Sequence, residues 1–342
     1  MTELHGSAST KQVGLILLVV LPLFIPDFVI AFTPLAPAAA FVIAGTLPTV
    51  IAWMFGSWYA AVTIPLAGLL NFLAVLVFGN PIATTLLMFA IAILVGLSAL
   101  KGLHPVAIFL ALQPAITVIS GYPSVSFGQA TPGGVGQALI CAGVAIGGGL
   151  WAVLVGAILL RGISSGAPDP VPAPVVAYYT GALVILLTPT ALISATWFAG
   201  TTAGWVLVTI LIVARPFYDE SRRMIAERAA GTVAGGLLSA VLALAIDNTD
   251  LLVIVGTVAM VAAAVLYLLH ARYAYFATFL TAAIVLLNAE HADVLTSDVE
   301  RVGYTIVGVT LVAAVVALAE MALGRYTPAS GAEPREPGDG DR

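Results

Sequence analysis

The residues best suited to chemistry are a few cations and helix-breaking prolines set among long apolar runs. One apolar run ends at Arg215-Pro216, and after a charged turn the next run begins with Glu227-Arg228. The helix dipole favours Glu227 near the start of that helix but disfavours Arg228, so Arg228 needs another reason to be there. The pair is either a gate at the inner end of the helix or two solvated charges that reach the membrane surface.

Further cations occupy turns on the side of the membrane that is predicted below to be the cytoplasmic side. His104 lies close to Lys101, and it matches Arg272 when the sequence is compared with itself at an offset of 168 residues. Together with Arg215, these residues could form an inner vestibule that attracts anions. The alternative is that they are ordinary basic residues of cytoplasmic loops.

Prolines interrupt the apolar runs in corresponding parts of the two halves of the chain. The first run contains Pro26-Asp27, and the seventh contains Thr188-Pro189-Thr190. An unpaired carboxylate in the bilayer costs about 2.5–3.5 kcal/mol on insertion scales, so we expect Asp27 to face a cavity or to be protonated, unless it lies near the outer surface. Matching breaks in two halves point to a site near the midplane. The residues expected to line this pathway are Pro26, Asp27, Gln113, Thr188, Pro189, Thr190 and Thr281.

Small residues recur along the helix that follows Arg228. Gly231, Thr232, Gly235 and Gly236 are spaced so that the backbone of a neighbouring helix can approach closely. Helix packing is the favoured interpretation of these four residues, and contact with substrate is the alternative.

The composition is that of a membrane protein. Of 342 residues, 61% are hydrophobic and 8% are charged, which is more apolar surface than a soluble domain can bury. The single Cys141 excludes an internal disulfide, and the four histidines lack the spacing of metal ligands. We find no enzyme motif, so we expect no enzymatic activity, no metal, no cofactor and no nucleic-acid partner.

Twelve apolar runs are long enough, or nearly so, to cross the roughly 30 Å hydrocarbon core. With the N-terminus inside, eleven of the twelve Lys and Arg residues fall on the cytoplasmic side, and Arg301 alone falls outside. The predicted fold is therefore all-α, a polytopic membrane protein with both termini in the cytoplasm. The runs are Val13–Ala31, Ala36–Met54, Trp58–Val77, Ile82–Leu100, Leu103–Ser120, Gly136–Leu160, Val175–Ala195, Phe198–Ala214, Ala226–Ile246, Leu251–Leu269, Ala271–Asn288 and Val302–Leu323.

The spacing of these runs predicts two parallel six-helix repeats. At the offset of 168 residues, Gly68-Leu69-Leu70 matches Gly236-Leu237-Leu238 and Asn80 matches Asn248. Six spans per half is an even number, so the two halves have the same orientation. The predicted divisions are a first half (1–160), a Pro-rich cytoplasmic linker (161–174), a second half (175–325) and a disordered cytoplasmic tail (326–342).

The stretch around Arg215 carries a resemblance to a known family. It reads Val213-Ala214-Arg215-Pro216, then a polar segment, then Arg228-Ala229-Ala230-Gly231-Thr232-Val233-Ala234-Gly235. This resembles the fusaric acid resistance and aromatic acid exporter family, whose pattern is Arg-Pro, a polar segment and Arg-x-x-Gly-Thr-x-x-Gly. The resemblance covers well over half of the second half of the chain, and the chain looks like a compact member without the large cytoplasmic domains that many members carry.

The resemblance implies an inner-membrane exporter of small, often aromatic, carboxylates that works with a periplasmic membrane-fusion adaptor. Proton coupling is expected through Asp27, and an oligomer is possible. A major-facilitator-like transporter is one alternative, although its basic loop motif is missing at Phe55–Trp58. A passive organic-anion channel is another, and a non-transporting membrane scaffold is a third.

Overall fold

The chain folds into α-helices joined by short turns. The computed structural model describes residues 10–128, 130–160, 166–269, 271–287 and 294–324, and within these ranges it contains no β-strand. Short 3₁₀ turns cover Ala36–Ala38 and Ala99–Lys101. The helices are α1 (Thr10–Leu23), α2 (Ile25–Ile30), α3 (Ala40–Phe55), α4 (Ser57–Val77), α5 (Pro81–Ser98), α6 (His104–Ser120), α7 (Gly134–Leu159), α8 (Ala173–Trp197), α9 (Gly204–Val213), α10 (Tyr218–Ala245), α11 (Thr249–Leu268), α12 (Tyr273–Leu287) and α13 (Val294–Gly324).

Each predicted apolar run overlaps one helix, and the first overlaps both α1 and α2, whereas α10 and α13 each begin eight residues before their predicted runs. In the described part of the chain, eight helices are long and apolar enough to cross a membrane. Four shorter apolar helices cover Ile16–Ile30, His104–Ser120, Gly204–Val213 and Tyr273–Leu287. The protein is thus an all-helical, multi-pass membrane protein, and the twelve-span, two-repeat arrangement stays a prediction. The predicted tail beyond residue 325 and residues 161–165 of the predicted linker lie outside the described residues.

Two asparagines start equivalent helices. The side chain of Asn80 accepts a hydrogen bond from the backbone N–H of Ala83 at 3.0 Å, and that of Asn248 accepts one from Leu251 at 3.0 Å. Each asparagine thereby satisfies an N–H group that the first helical turn leaves without a partner. These are the residues that match at the offset of 168, so α5 and α11 begin at matching positions in the same way.

The helix α9, the shortest of the four apolar segments named above, lies at the centre of the protein. Its ten residues span about 15 Å, half the thickness of the hydrocarbon core. Every residue of α9 except Trp205 is buried, beneath α6, α8, α10 and α13. A helix of this length that is apolar except for Thr209 is stable here because it is surrounded by other helices rather than by lipid. As a result, the turn at Arg215 begins inside the protein.

Proline interrupts the helix of the first apolar run, and a hydrogen bond from another helix holds this interruption in place. Because Pro26 has no N–H, the carbonyl of Pro22 four residues earlier has no donor within its own helix. The indole N–H of Trp151 on α7 donates to this carbonyl at 2.8 Å. The bond ties the junction of α1 and α2, and with it Asp27, to the side of α7.

The loop between α6 and α7 closes one end of the first half. Val125 is fully buried against α3, α4 and α7. The side chain of Gln137 accepts from the backbone N–H of Val125 at 3.1 Å and donates to the carbonyl of Val125 at 2.7 Å. An apolar side chain is thereby held over the interior of the first half.

Candidate functional site

The turn between α9 and α10 positions Arg215. Pro216 has no backbone N–H to donate. The hydroxyl of buried Ser221 provides the hydrogen bonds of the turn instead. Ser221 Oγ accepts from the backbone N–H of Arg215 at 2.9 Å and donates to the carbonyl of Arg215 at 3.3 Å. The backbone of Arg215 is therefore held at both of its polar groups, which directs its half-buried side chain.

Three rings on other helices lie within electrostatic range of Arg215. Its guanidinium interacts electrostatically with His104 on α6, Tyr179 on α8 and Tyr267 on α11. The hydroxyl of Tyr179 donates to the carbonyl of Ala214 at 3.4 Å, and its ring meets that of His104 edge to face at 6.4 Å between centroids. Side chains from α6, α8 and α11 thus approach the turn at Arg215.

Arg228 is a second cation nearby, and its side chain is fully buried (0% exposed). Its Nη1 donates to the hydroxyl of Tyr273 on α12 at 3.1 Å. Its Nε and Nη2 have no hydrogen-bond partner among the described residues. A buried guanidinium with two such donors is suited to hold a carboxylate, because a guanidinium binds carboxylate oxygens through paired N–H groups.

Aromatic rings connect the two arginines. Tyr273 packs against Phe276 at 5.4 Å between ring centroids, Phe276 against Tyr267 at 5.5 Å, and Tyr267 against Phe109 on α6 at 5.7 Å. Edge-to-face and tilted pairs at such distances are favourable and leave ring faces and edges for a further aromatic ring. We call this group the arginine–aromatic cluster; its members are His104, Phe109, Tyr179, Arg215, Arg228, Tyr267, Tyr273 and Phe276.

The cluster provides two kinds of contact for one ligand. The guanidinium groups attract and orient an anion, and the rings pack against an apolar or aromatic body. Among the described residues, no group of His, Cys, Asp and Glu is arranged to hold a metal ion. The arrangement therefore fits binding of a small organic anion.

Comparison with known protein families matches residues 190–316 to the fusaric acid resistance protein-like family. The matched residues lie in the second half of the chain, and we refer to them as the fusaric acid resistance protein-like domain. This confirms the resemblance seen at Arg215-Pro216 and from Arg228 to Gly235. No curated protein and no solved structure matches the chain.

The fusaric acid resistance protein-like domain contains α9 to α12 and most of α13. It supplies five members of the arginine–aromatic cluster, whereas His104 and Phe109 come from α6 and Tyr179 comes from the part of α8 before the matched residues. The cluster is thus assembled where this domain meets the rest of the chain.

Of the six residues predicted to form a gate or vestibule, the structure brings three into the cluster: His104, Arg215 and Arg228. Lys101 and Arg272 are exposed, and Glu227 is half-buried. The exposed pair fits the alternative interpretation, that of ordinary basic residues in loops.

The two predicted proline breaks pack against different helices. Pro26 and Asp27 belong to α2, which contacts α1 and α3, and Asp27 is half-buried with no hydrogen-bond partner for its Oδ2 among the described residues. Pro189, by contrast, is exposed on α8, which packs mainly against α5 and α9, and Thr188 and Thr190 beside it are half-buried. A pathway shared by the two breaks stays a prediction.

The third break has a different environment from its repeat partner. The amide of Gln113, which precedes buried Pro114 on α6, donates to Thr117 Oγ1 at 3.3 Å. Thr281 is fully buried on α12, and its hydroxyl has no partner among the described residues.

The small residues of the domain lie where α10 meets α12. A Cβ atom on Gly231 would come within 2.6 Å of both the Ala274 carbonyl oxygen and the Ala277 Cβ. A Cβ on Gly235 would meet the Thr278 carbonyl oxygen and would lie 2.7 Å from the Thr281 Cβ. Both glycines therefore serve close packing; Thr232 and Gly236 are buried on the same helix.

The aromatic members of the cluster are not among the residues predicted from the sequence. Tyr267 and Tyr273 lie on either side of the turn between α11 and α12, and Phe276 is one turn further along α12. Their concentration at this turn is the only signal in the sequence. It is weak because tyrosines are common near the ends of membrane helices for reasons unrelated to ligands.

Proposed function

We propose that the protein exports small organic carboxylates, aromatic ones among them, across the bacterial inner membrane. The match to fusaric acid resistance protein-like proteins supports a transporter of the efflux type. The observation that carries the choice of substrate is the buried guanidinium of Arg228, bonded to Tyr273 and joined to Arg215 through aromatic rings. Burying a cation is costly, and ionisable groups inside membrane proteins mark substrate and ion pathways.

The proposal includes the twelve-span topology with two parallel halves and both termini in the cytoplasm. Recurring contacts support it: α4 packs against α6 and α7 as α10 packs against α12 and α13, and α3 packs against α7 as α9 packs against α13. Between the halves, α5 contacts α8 as α11 contacts α1. A periplasmic adaptor is a further part of the proposal that rests on the family resemblance.

The test uses the full-length protein in liposomes and labelled benzoate as the probe. Benzoate should exchange across the membrane, and unlabelled benzoate should compete, whereas neutral benzamide should not. Hydrogen bonds to charged groups contribute about 1.5–3 kcal/mol, so Arg228→Gln should weaken benzoate binding roughly 10- to 150-fold. Tyr273→Phe should cause a smaller loss because it removes only the hydroxyl that orients the guanidinium.

The matched control is Arg223→Gln, which removes an exposed charge from the same helix. It should leave benzoate exchange unchanged. Equal competition by benzamide, or full exchange by a folded Arg228→Gln protein, would contradict a carboxylate site at Arg228.

A further inference from the structure

Two buried cations lie in the second half. Among the described side chains, Arg228 and Arg301 are the charged residues that are buried, at 0% and 2% exposure. Arg301 is on α13, and its guanidinium carbon lies 3.9 Å from the centre of the Trp205 ring at the start of α9. Arg301 is also the one basic residue predicted to lie towards the outer side. The two cations are therefore placed towards opposite ends of the same set of helices.

Four buried threonines lie on the helices that connect these cations. Thr209 is on α9, Thr232 on α10, Thr281 on α12 and Thr305 on α13, and none is more than 1% exposed. Their hydroxyls have no hydrogen-bond partner among the described residues. We call these four residues the hydroxyl file.

Other threonines of the same protein show that this is not the usual arrangement. A helical threonine readily bonds its hydroxyl to the carbonyl four residues earlier. The described helices contain seven that do so: Thr63, Thr85, Thr180, Thr196, Thr257, Thr278 and Thr310. The hydroxyls of the file lack this bond although they are buried, where an unmade hydrogen bond costs most.

The threonines of the hydroxyl file lie where neighbouring helices pack against each other. Thr305 is one turn from Arg301 on α13, and Thr209 is one turn from Trp205 on α9; a Cβ on Gly308 of α13 would lie 2.8 Å from the Thr209 Cβ. Thr232 is one turn from Arg228 on α10, and Gly235 brings α10 against Thr281 of α12. Because α13 packs against both α9 and α10, the α9–α13 contact lies next to the α10–α12 contact.

At three of the corresponding positions the first half has apolar residues, whereas Gln113 corresponds to Thr281 and Gln137 to Thr305. At the offset of 168, Arg228 corresponds to Ala60, Thr232 to Ile64 and Thr209 to Phe41. All three are buried members of the apolar core, and Phe41 is fully buried. Val125 in addition packs among buried apolar side chains of the first half.

We propose that, beyond the arginine–aromatic cluster, the substrate path runs through the second half alone, from Arg228 across the hydroxyl file to Arg301. The inference rests on the proposed function and deepens it. A carboxylate accepts hydrogen bonds, and each hydroxyl of the file can donate one. Neutral donors stabilise an anion but hold it less tightly than a cation does. Conduction requires binding of this weaker kind, because the anion must also leave. Trp205 then provides a ring face beside Arg301 for an aromatic substrate.

The first experiment compares cysteines at matching positions of the two halves. Thr209→Cys and Thr232→Cys are each made in a Cys141→Ala background, beside Phe41→Cys and Ile64→Cys. The full-length proteins are reconstituted in liposomes and treated with methanethiosulfonate ethylsulfonate, a small water-soluble anion. Since reaction of a buried thiol depends on transient opening, the second-half cysteines should react at least ~tenfold faster than the first-half ones. Benzoate should slow the reaction.

The second experiment removes hydroxyls without changing shape. Thr232→Val and Thr281→Val should each slow benzoate exchange roughly two- to tenfold, the loss expected for one neutral hydrogen bond. Thr63→Val is the control, because Thr63 is equally buried but bonds to its own helix. It should leave exchange unchanged.

The outcomes separate the path from the proposed function. Benzoate exchange together with equal reaction of first- and second-half cysteines would overturn the path and leave the proposed function standing. Unchanged exchange by the Thr232→Val and Thr281→Val proteins would also overturn it. Fast reaction of the second-half cysteines in a protein that does not exchange benzoate would support the path and contradict the proposed substrate class.

Discussion

At the scale of single residues, Trp151 controls the break between α1 and α2. Its indole N–H satisfies the carbonyl of Pro22, and leaving a polar group of this kind without a partner costs about 1–3 kcal/mol. Trp151→Phe should therefore loosen α2, seen as faster hydrogen exchange of the backbone amides of Phe28 to Ile30. Trp58→Phe, at a 74% exposed position, is the control. Unchanged exchange in the Trp151→Phe protein would show that packing alone holds the break.

Asp27 tests whether export is coupled to protons. It is half-buried beside the Trp151 contact, and a proton-coupled exporter needs a titratable group where a channel does not. Asp27→Asn should abolish proton-driven accumulation of benzoate in liposomes and leave benzoate exchange at equilibrium intact. Asp250→Asn, which changes an exposed carboxylate on α11, should alter neither. Proton-driven accumulation that persists in the Asp27→Asn protein would assign coupling elsewhere, and failure of wild-type protein to accumulate benzoate would favour the channel.

The sequence indicates that some functional residues are unusual, but it does not reveal their partners in the fold. Arg228 was selected because the helix dipole disfavours it, and the structure places it fully inside the protein. Its partner Tyr273 lies 45 residues further along the chain, and no local pattern connects the two. The hydroxyl file is hidden for a similar reason, because Thr209 and Thr232 have the same sequence signature as threonines bonded to their own helices.

At the scale of helices, the contact between α10 and α12 depends on glycine. A side chain at Gly235 would meet the carbonyl oxygen of Thr278. Inserting bulk into a close-packed contact typically costs about 1–3 kcal/mol, so Gly235→Leu should reduce the yield of folded protein in size-exclusion chromatography. Gly303→Leu is the control, because a Cβ on Gly303 meets nothing within 4 Å. A well-folded Gly235→Leu protein with altered substrate preference would instead place Gly235 on the substrate path.

Helices themselves were predictable because apolar runs and polar turns are local features. The run Trp58–Val77 gave the end of α4, and Asn80 and Asn248 mark the starts of α5 and α11 as the repeat suggested. The central position of α9 was not predictable, since a ten-residue apolar segment looks the same beside lipid and beneath other helices. The division of the first run into α1 and α2 follows from its prolines, whereas the contact with Trp151 is a matter of tertiary structure.

At the scale of the whole molecule, the two halves have similar helix contacts but different interiors. The contacts of α4 with α6 and α7 recur as those of α10 with α12 and α13. Buried cations in the described residues occur in the second half alone. The first half has Ala60 at the position equivalent to Arg228, and Ile64 and Phe41 at those equivalent to Thr232 and Thr209. One half thus resembles a scaffold and the other carries the residues proposed to act on substrate.

The topology of the whole chain is tested by labelling single cysteines in a Cys141→Ala background. Twelve spans place Ser126 and Asp250 outside and Lys101 and Arg223 in the cytoplasm, and all four side chains are exposed. Ser221, which lies in the same segment as Arg223, is unsuitable because it is buried and holds the backbone of Arg215. A membrane-impermeant thiol reagent should label cysteines at 126 and 250 in intact cells, and those at 101 and 223 only after the cells are opened.

Each pair of labelling positions tests whether one particular helix crosses the membrane. Residues 223 and 250 flank most of α10, so labelling of both from outside would mean that α10 does not cross the membrane. Residues 101 and 126 flank α6, whose 17 residues span about 26 Å and are just short of the hydrocarbon thickness. If 126 were protected together with 101, α6 would be a buried helix rather than a span. An odd number of spans would then separate the termini, and the positive charges would no longer fall on one side.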